Sequence, residues 1–514
     1  MTTDDRPHPE PAPRLQSGTP YLDQILGGGW LRGGLYLIAG PPGTGKTTLA
    51  NQIGYRIADR GESCLYVTLL AETHERMLLH LRSFEFFHQE YVGTRMHYVS
   101  GLSDLKEGGG RGFIEMALRT ARERGARLLV VDGLTVLKEH LRPDESLREL
   151  LQLLAARLAA QDCTTLLLST EVNKGTSVES AMADGILALS AELIGLKATR
   201  GIEVIKFRGS NNVPGRHTFT IDEQGVRIYP RFEAVMRKTS KKVADPAHRS
   251  RWGIDGLDTM CVGGLVTLSS TLVMGSPGSG KTLIGLSFLA EGARQGEPGL
   301  YFGFAESGEQ LTVKCRNVGL ELEGLQRQGL LRLESRAPVE TLPDAMAQEL
   351  LALVDQMGVK RLLLDGLEPF AKEAIDPERT TRFLAAMINA LRERDVTLLV
   401  TQQTNHMFGP ELHSPISGVE AICDNLVFLR FFEMHGELHR LIAILKMRDS
   451  SNDPFMRELK ITQDGVRVGE SYASLEAMLT GQPHARMHAP QAPPQPPPGA
   501  SAPPPVGDTG TGGR

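Results

Sequence analysis

The chain has 514 residues, 41% of them hydrophobic and 23% charged, which is an ordinary globular composition and more chain than one hydrophobic core usually serves. A formal net charge of -5 provides no general attraction to nucleic acids or anionic membranes, so we expect neither as a partner. Five widely spaced cysteines without a CxxC pair argue against a disulfide framework and a zinc site, and favour a reducing cytoplasmic location.

The first half, taken in chain order, predicts alternating strands and helices. It opens with a polar, proline-rich segment at 1–16, which lacks the apolar stretch of a signal peptide or an anchor and is expected to be disordered. Short apolar runs are typical of buried parallel strands, and stretches rich in Ala, Leu, Arg and Glu are typical of helices that cover a sheet. Strands are predicted at Leu35–Ala39, Leu128–Val131 and Thr164–Leu168, and helices at Phe113–Arg124 and Glu145–Gln161.

The second half repeats the first. The lysines of two GxxxxGK[ST] loops, Lys46 and Lys281, lie 235 positions apart, and the acids that end two apolar runs, Asp132 and Asp365, lie 233 apart. Corresponding residues of the two motifs are separated by nearly the same number of positions, which indicates a tandem duplication. We therefore expect an α/β fold of two P-loop domains with mainly parallel sheets. Further strands are predicted at Thr271–Met274, Arg361–Leu364 and Val396–Val400, and domains at 17–236 and 252–482, with a linker at 237–251 and a disordered proline-rich tail at 483–514.

The two glycine loops predict nucleotide binding. A strand, a loop of this spacing and a helix turn successive backbone N–H groups towards an anion, and the lysine reaches the terminal phosphates. A glycine-rich turn without a ligand is the alternative, but two copies, each followed by a second acid-ended strand, favour an ATP site. The predicted nucleotide-binding residues are Gly43, Thr44, Gly45, Lys46, Thr47 and Thr48 in the first half, and Gly278, Ser279, Gly280, Lys281, Thr282 and Leu283 in the second.

The same pattern predicts a magnesium ion at each loop. A hydroxyl directly after the loop lysine binds Mg²⁺ in such sites, and an acid at the end of a neighbouring apolar strand holds the water shell of the ion. Thr47 with Asp132, and Thr282 with Asp365, supply these groups.

A candidate catalytic base follows another apolar strand in each half. Glu72 and Glu306 come after such runs, 234 positions apart, at the end of the sheet where ligands of α/β folds bind. A carboxylate there can orient and activate water. The alternative is an acid favoured only by the dipole of the helix that begins beside it.

Each glycine loop is preceded by a Leu-Asp pair and a Gly-Gly pair, and each half has a Lys-x-Arg near its end. Together, these motifs resemble the KaiC family of circadian-clock ATPases, within the RecA-like superfamily. The resemblance covers about 17–482. It implies two RecA-like domains in a double-ringed hexamer with ATP between subunits, where Lys206 and Arg208 in one ring, and Lys446 and Arg448 in the other, reach the phosphates of a neighbour. From the residues alone, these pairs are equally consistent with a solvated strand face.

The sequence departs from the family at three places. Where the family has two adjacent acids, this chain has Ala71 before Glu72 and Ala305 before Glu306. Serine/threonine autokinase activity is implied by the resemblance, yet Glu420 and Ala421 stand where clock members carry their phosphoacceptors. The proline-rich tail replaces the charged peptide that engages a clock partner in the family.

Three functions remain open from the sequence. The first is a hexameric ATPase that acts as a timing or signalling switch with protein partners. The second is a RecA-like motor for DNA recombination or repair, which would require cationic DNA-binding loops that this acidic chain does not obviously contain. The third is a scaffold that uses nucleotide only to assemble, which the two missing acids would favour.

Overall fold

The computed structural model describes residues 13–69, 74–171, 177–194, 197–236, 240, 242–337, 342–372, 377–404, 416, 418–434 and 436–471. These residues form two α/β halves, each built on a sheet of nine strands. The predicted fold class is therefore confirmed. Among the described residues, no helix has both the length and the apolar character needed to cross a membrane.

The first half contains eleven strands and eight α-helices among its described residues. Its strands are β1 Arg14–Leu15, β2 Trp30–Leu31, β3 Leu35–Ala39, β4 Ser63–Thr68, β5 Met96–Ser100, β6 Ala126–Asp132, β7 Thr164–Ser169, β8 Gly185–Ile194, β9 Lys197–Phe207, β10 Arg216–Asp222 and β11 Gly225–Tyr229. Its helices are α1 Leu22–Ile25, α2 Lys46–Ala58, α3 His74–Leu81, α4 Leu102–Glu123, α5 Leu134–Glu139, α6 Leu147–Ala159, α7 Val178–Met182 and α8 Phe232–Val235.

The second half contains the same number of each element among its described residues. Its strands are β12 Arg249–Ser250, β13 Leu265–Val266, β14 Ser270–Gly275, β15 Gly299–Gly303, β16 Leu331–Ser335, β17 Arg361–Asp365, β18 Thr397–Gln403, β19 Asn425–Met434, β20 Glu437–Met447, β21 Arg457–Thr462 and β22 Gly465–Ser471. Its helices are α9 Asp255–Met260, α10 Lys281–Arg294, α11 Gly308–Arg316, α12 Glu323–Arg327, α13 Pro343–Met357, α14 Glu368–Lys372, α15 Pro377–Glu393 and α16 Val419–Ile422.

Both sheets have one topology. The strand orders are β11-β10-β9-β8-β3-β7-β6-β4-β5 and, from the opposite edge, β16-β15-β17-β18-β14-β19-β20-β21-β22. The strand before each glycine loop, β3 or β14, lies at the centre and is paired in parallel on both sides. The last three strands of each half add antiparallel hairpins. The duplication seen in the sequence is thus a duplication of the whole sheet.

Burial explains why the central strands read as unbroken apolar runs. Every residue of β3 and of β14 is buried, because helices cover both faces of a parallel sheet. Each half accordingly has two clusters of buried apolar side chains, one on each face of its sheet. All six predicted strands are present, with ends that match or differ by at most three residues. The two predicted helices overlap α4 and α6.

The end of the first half packs on the second half. Helix α8 lies against α15, and the rings of Phe232 and Phe383 are 5.5 Å apart. Arg379 pairs with Glu233 at 2.9 Å and with the buried Asp344, which also accepts the backbone N–H of Phe232 at 2.9 Å. A buried ionic cluster therefore joins the two halves.

Candidate nucleotide sites

The first glycine loop connects the central strand β3 to the start of α2. Gly43 and Gly45 have φ values of 78° and 98°, a backbone region that favours glycine. A side chain at Gly45 is excluded also by space, because its Cβ would lie 2.5 Å from Cδ1 of Ile221. The loop is thus shaped to turn backbone N–H groups towards the N-terminus of α2, where an anion is stabilised by the helix dipole.

Lys46 begins α2 and reaches back across this loop. Its Nζ donates to the carbonyl oxygens of Gly40 at 2.7 Å and Pro41 at 3.0 Å. Burial lowers the pKa of this lysine, while the nearby Asp132 opposes that change. A half-buried cation whose hydrogen-bond partners among the described residues are carbonyl oxygens is well suited to gain a phosphate.

Thr47 and Asp132 are brought together, as the sequence predicts. The Thr47 hydroxyl donates to Oδ2 of Asp132 at 3.0 Å. Asp132 ends β6, beside Thr68 of β4, so the carboxylate lies at the carboxyl edge of the parallel strands. The two lie on a cleft of about 700 Å³ that the loop also lines.

The second site repeats this geometry. Lys281 begins α10, and its Nζ donates to the carbonyl oxygens of Gly275 at 2.8 Å and Ser276 at 2.9 Å; burial lowers its pKa too. The Thr282 hydroxyl donates to Oδ2 of Asp365 at 3.0 Å. These side chains also line a cleft of about 700 Å³.

Most of the predicted loop residues line one of the two clefts. Two of them do not turn their side chains to the cleft: Thr44 is buried and its hydroxyl donates to the Pro41 carbonyl at 2.8 Å, and Ser279 is fully buried. Their backbone groups remain parts of the loops. The cleft-lining members are Gly43, Gly45, Lys46, Thr47 and Thr48, and Gly278, Gly280, Lys281, Thr282 and Leu283.

Comparison with known proteins identifies the fold family of these sites. The family described as "ATPase: KaiC" matches residues 15–233 and 250–473, which include both glycine loops and both acid-ended strands. This chain belongs to the KaiC family.

Curated members of the KaiC family match this chain over about nine-tenths of its length. The circadian clock oscillator protein KaiC of Parathermosynechococcus lividus is 28% identical over 484 residues, covering 92% of this chain and 88% of that protein. The protein of that name in a Picosynechococcus species is 28% identical over 475 residues, with 90% of both chains covered. Circadian clock protein KaiC3 of a Synechocystis species is also 28% identical, covering 91% of this chain and 94% of its own.

Glu306 lies on the second cleft of this KaiC-family protein, three residues beyond the end of β15. Its carboxylate is 2.8 Å from Nζ of Lys314 on α11, and both side chains are partly exposed. Lys314 was not identified from the sequence. It lies about two turns into α11 and contacts Glu306, which precedes that helix. Glu72, the predicted equivalent in the first half, lies outside the described residues.

The two Lys-x-Arg pairs have partners within their own chain. Nζ of Lys206 donates to the carbonyl oxygens of Ser180 and Ala181 on α7, at 3.0 and 3.3 Å. Arg208 lies 3.7 Å from Asp184, and its side chain is 59% exposed. Its ion pair is therefore long and largely exposed to solvent.

The second Lys-x-Arg pair is held in the same way. Nζ of Lys446 donates to three carbonyl oxygens at and after α16, those of Glu420, Ala421 and Cys423. Arg448 lies 3.2 Å from Asp424 and is 52% exposed. Each lysine thus stabilises the end of a short helix, while each arginine stays half in solvent.

The clefts contain further repeated residues that the sequence reasoning missed. Arg200 lines the first cleft and Arg440 the second, 240 positions apart, and Nε of Arg440 donates to the Gly278 carbonyl at 3.2 Å. Ile221 and Ile461 cover the two glycine loops at the same spacing. The two Lys-x-Arg pairs are separated by the same number of positions. A residue-by-residue comparison of the two halves at that spacing would therefore have found the two arginines and the two isoleucines.

The residues present fit a magnesium ion of the nucleotide-bound kind. Among the described ranges, no three His, Cys, Asp or Glu side chains form a metal cluster. Mg²⁺ needs none, because it keeps several waters and is held by one or two carboxylates together with substrate phosphates. Asp132 with Thr47, and Asp365 with Thr282, offer that donor set.

Proposed function

We propose that this protein binds and hydrolyses Mg-ATP at both clefts and acts as a hexameric timing or signalling switch. The observation that carries the proposal is the duplicated site: each half holds a glycine loop, a half-buried lysine, a hydroxyl and an acid around one cleft. Membership of an ATPase family supports the nucleotide. The relatives named as clock proteins support the switch. Five free, buried cysteines agree with the cytoplasmic location that we propose.

The chain's own groups divide the work of the site. Backbone N–H groups of the loop and the N-terminus of α2 or α10 bind the phosphates, and Lys46 or Lys281 leaves its carbonyl partners to neutralise the terminal ones. Asp132 or Asp365 orients the water shell of the metal. Bound Mg²⁺ would neutralise phosphate charge and favour displacement at the γ-phosphorus.

We propose that Glu306 orients the attacking water in the second cleft. Its ion pair with Lys314 is partly exposed and therefore weak enough to rearrange. In a Lys46→Ala background, which leaves only the second site, we expect Glu306→Gln to lower phosphate release by about 100-fold while nucleotide binding persists, as loss of a general base does. Single-turnover hydrolysis measures the first quantity, and equilibrium binding measures the second.

The matched control for this change is Glu309→Gln, which removes an exposed acid from α11, three residues after Glu306, and should hydrolyse ATP normally. Equal rates for Glu306→Gln and the control would show that Glu306 is only an ion-pair partner. Stimulation of the wild-type rate by single-stranded or duplex DNA would instead favour the recombination motor. Nucleotide-dependent assembly without any hydrolysis would favour the scaffold.

We propose that the exposed arginines complete the site of a neighbouring subunit. Arg208 and Arg448 are more than half exposed, and a ring brings one face of each subunit against the opposite face of the next. Mixing an Arg208→Ala chain with a Thr47→Ala chain should restore hydrolysis in part, because some mixed interfaces combine an intact arginine with an intact metal site. The measurement is phosphate release after subunit exchange, in a Lys281→Ala background.

An exposed arginine elsewhere in the first half, Arg227, provides the control for the mixing experiment. Arg227→Ala should be fully active without a partner chain. Failure of the Arg208→Ala mixture to recover under confirmed exchange would mean that each first site is complete within one chain.

We propose that the autophosphorylation cycle of clock relatives is absent. Glu420 and Ala421 offer no hydroxyl, and Ala305 cannot take a proton. The negative charge of Glu420 reproduces part of that of a phosphoserine. After incubation with labelled ATP, we expect no phosphate on residues 414–424, as measured by peptide mapping. Stoichiometric, Lys281-dependent label there would contradict the proposal; Ser414 and Ser417, the nearby hydroxyls, lie outside the described residues.

A further inference from the structure

A buried tyrosine touches the candidate metal-binding acid in each half. The hydroxyl of Tyr66, on β4, donates to Oδ2 of Asp132 at 2.8 Å. The hydroxyl of Tyr301, on β15, donates to Oδ2 of Asp365 at 3.1 Å. Each tyrosine stands on the strand next to the acid, two positions before the residue paired with it. The contact is therefore the same in both sheets.

Packing does not require these hydroxyls. Tyr66 and Tyr301 are fully buried among apolar side chains, where a phenylalanine ring would fill nearly the same volume. A buried hydroxyl without a partner is unfavourable, so the tyrosine is tolerated only because the carboxylate accepts its hydrogen bond. The hydrogen bond to the carboxylate, rather than the packing of the ring, therefore explains why a tyrosine and not a phenylalanine stands at each position.

The contact holds the carboxylate in one orientation. In both halves the oxygen that accepts the tyrosine hydroxyl also accepts the hydroxyl of Thr47 or Thr282. Two donors on Oδ2 hold the plane of the acid. Partners that orient a metal-binding group in this way contribute strongly to metal affinity.

The acid of the second half has a further contact at its other oxygen. The hydroxyl of Thr401, on β18, donates to Oδ1 of Asp365 and accepts the backbone N–H of Gly366 at 2.9 Å. Thr401 is the residue paired with Asp365 on the neighbouring strand, and the corresponding partner of Asp132 is Leu168, which has no hydroxyl. The second acid thus has an additional anchor at a position where the first half has a leucine.

We propose that Tyr66 and Tyr301 are positioning residues for the Mg²⁺ of each nucleotide site. This rests on the proposed Mg-ATP binding. Each phenol acts through the aspartate and touches neither metal nor nucleotide. Thr401 shares the task in the second half.

The test uses the full chain with one site disabled. Lys281→Ala isolates the first site and Lys46→Ala the second. Binding of a fluorescent, non-hydrolysable ATP analogue is titrated with Mg²⁺ and repeated in EDTA, and Mn²⁺ binding is followed by electron paramagnetic resonance. We expect Tyr66→Phe to raise the Mg²⁺ or Mn²⁺ concentration for half-saturation by about tenfold, with nucleotide affinity in EDTA unchanged. Tyr301→Phe should raise this concentration as well, and adding Thr401→Val should raise it further, because Asp365 then loses a second donor.

The control is Tyr36→Phe, which removes another fully buried hydroxyl from the first sheet, bonded there to the backbone of Leu31. It should leave the metal requirement unchanged. An unchanged requirement in Tyr66→Phe would overturn the proposal, as would an equal loss of affinity in EDTA, which would mean that the hydroxyl supports the whole site. Absence of nucleotide binding in the parent chain would contradict the proposed function itself, and is therefore distinguishable.

Discussion

Lys46→Ala and Lys281→Ala should each remove about half of the nucleotide that the wild-type chain binds, since the two clefts are separate and their effects should add. Each lysine Nζ contacts only loop carbonyls in the described structure. Its removal leaves the fold of the loop intact and takes away the cation that faces the phosphates. Equilibrium dialysis with labelled ATP in Mg²⁺ measures the stoichiometry. The double variant should bind none.

The control for the lysine variants is Lys106→Ala, an exposed lysine on α4, which should bind the full amount. Full stoichiometry in both single lysine variants would contradict the assignment of both sites. Full loss in one variant and none in the other would assign nucleotide to a single half.

The sequence predicted the sheets well because their strands are buried on both faces. Such strands are continuous apolar runs, and β3 and β17 begin and end within one residue of their predicted limits. The glycine loops and the acids after the strands were found for a related reason. A phosphate cradle is local in sequence, so its spacing is visible without the fold.

What the sequence could not provide were contacts between distant side chains. The ion pair of Glu306 with Lys314 depends on how α11 leaves the strand, and neither residue alone indicates it. The Lys-x-Arg pairs were assigned to a neighbour's phosphates by resemblance. In the described chain, Lys206 and Lys446 bond to carbonyl oxygens of short helices. Periodicity places a side chain on a face but does not choose among the partners that the face offers.

The contact between the two halves was likewise not apparent from the sequence. Helix α8, just before the predicted linker at 237–251, packs on α15, and Arg249–Ser250, near the end of that range, forms β12. A short helix of four residues has no periodic pattern to read. Its role is set by the cluster of Glu233, Arg379 and Asp344 that the fold assembles from three separate segments.

This cluster makes a large effect on stability testable. Asp344 is 1% exposed, and Arg379 and Glu233 are each 13% exposed. We expect Arg379→Ala to lower the free energy of unfolding of the second half by about 3–5 kcal/mol, because two buried carboxylates would lose their cation. Denaturant titration of the full chain, followed by circular dichroism and by a probe placed in each half, measures the change and shows which half unfolds first.

Charge, rather than lost packing, should account for most of that destabilisation. Adding Glu233→Gln and Asp344→Asn to Arg379→Met keeps nearly the same volume, and the asparagine oxygen can still accept the backbone N–H of Phe232. Replacing a whole buried ionic cluster by neutral groups often restores stability that the loss of one member removes. We therefore expect the triple variant to be more stable than Arg379→Met alone. If it is less stable, the halves are joined mainly by the packing of Phe232 on Phe383, and Phe232→Ala should then have the larger effect.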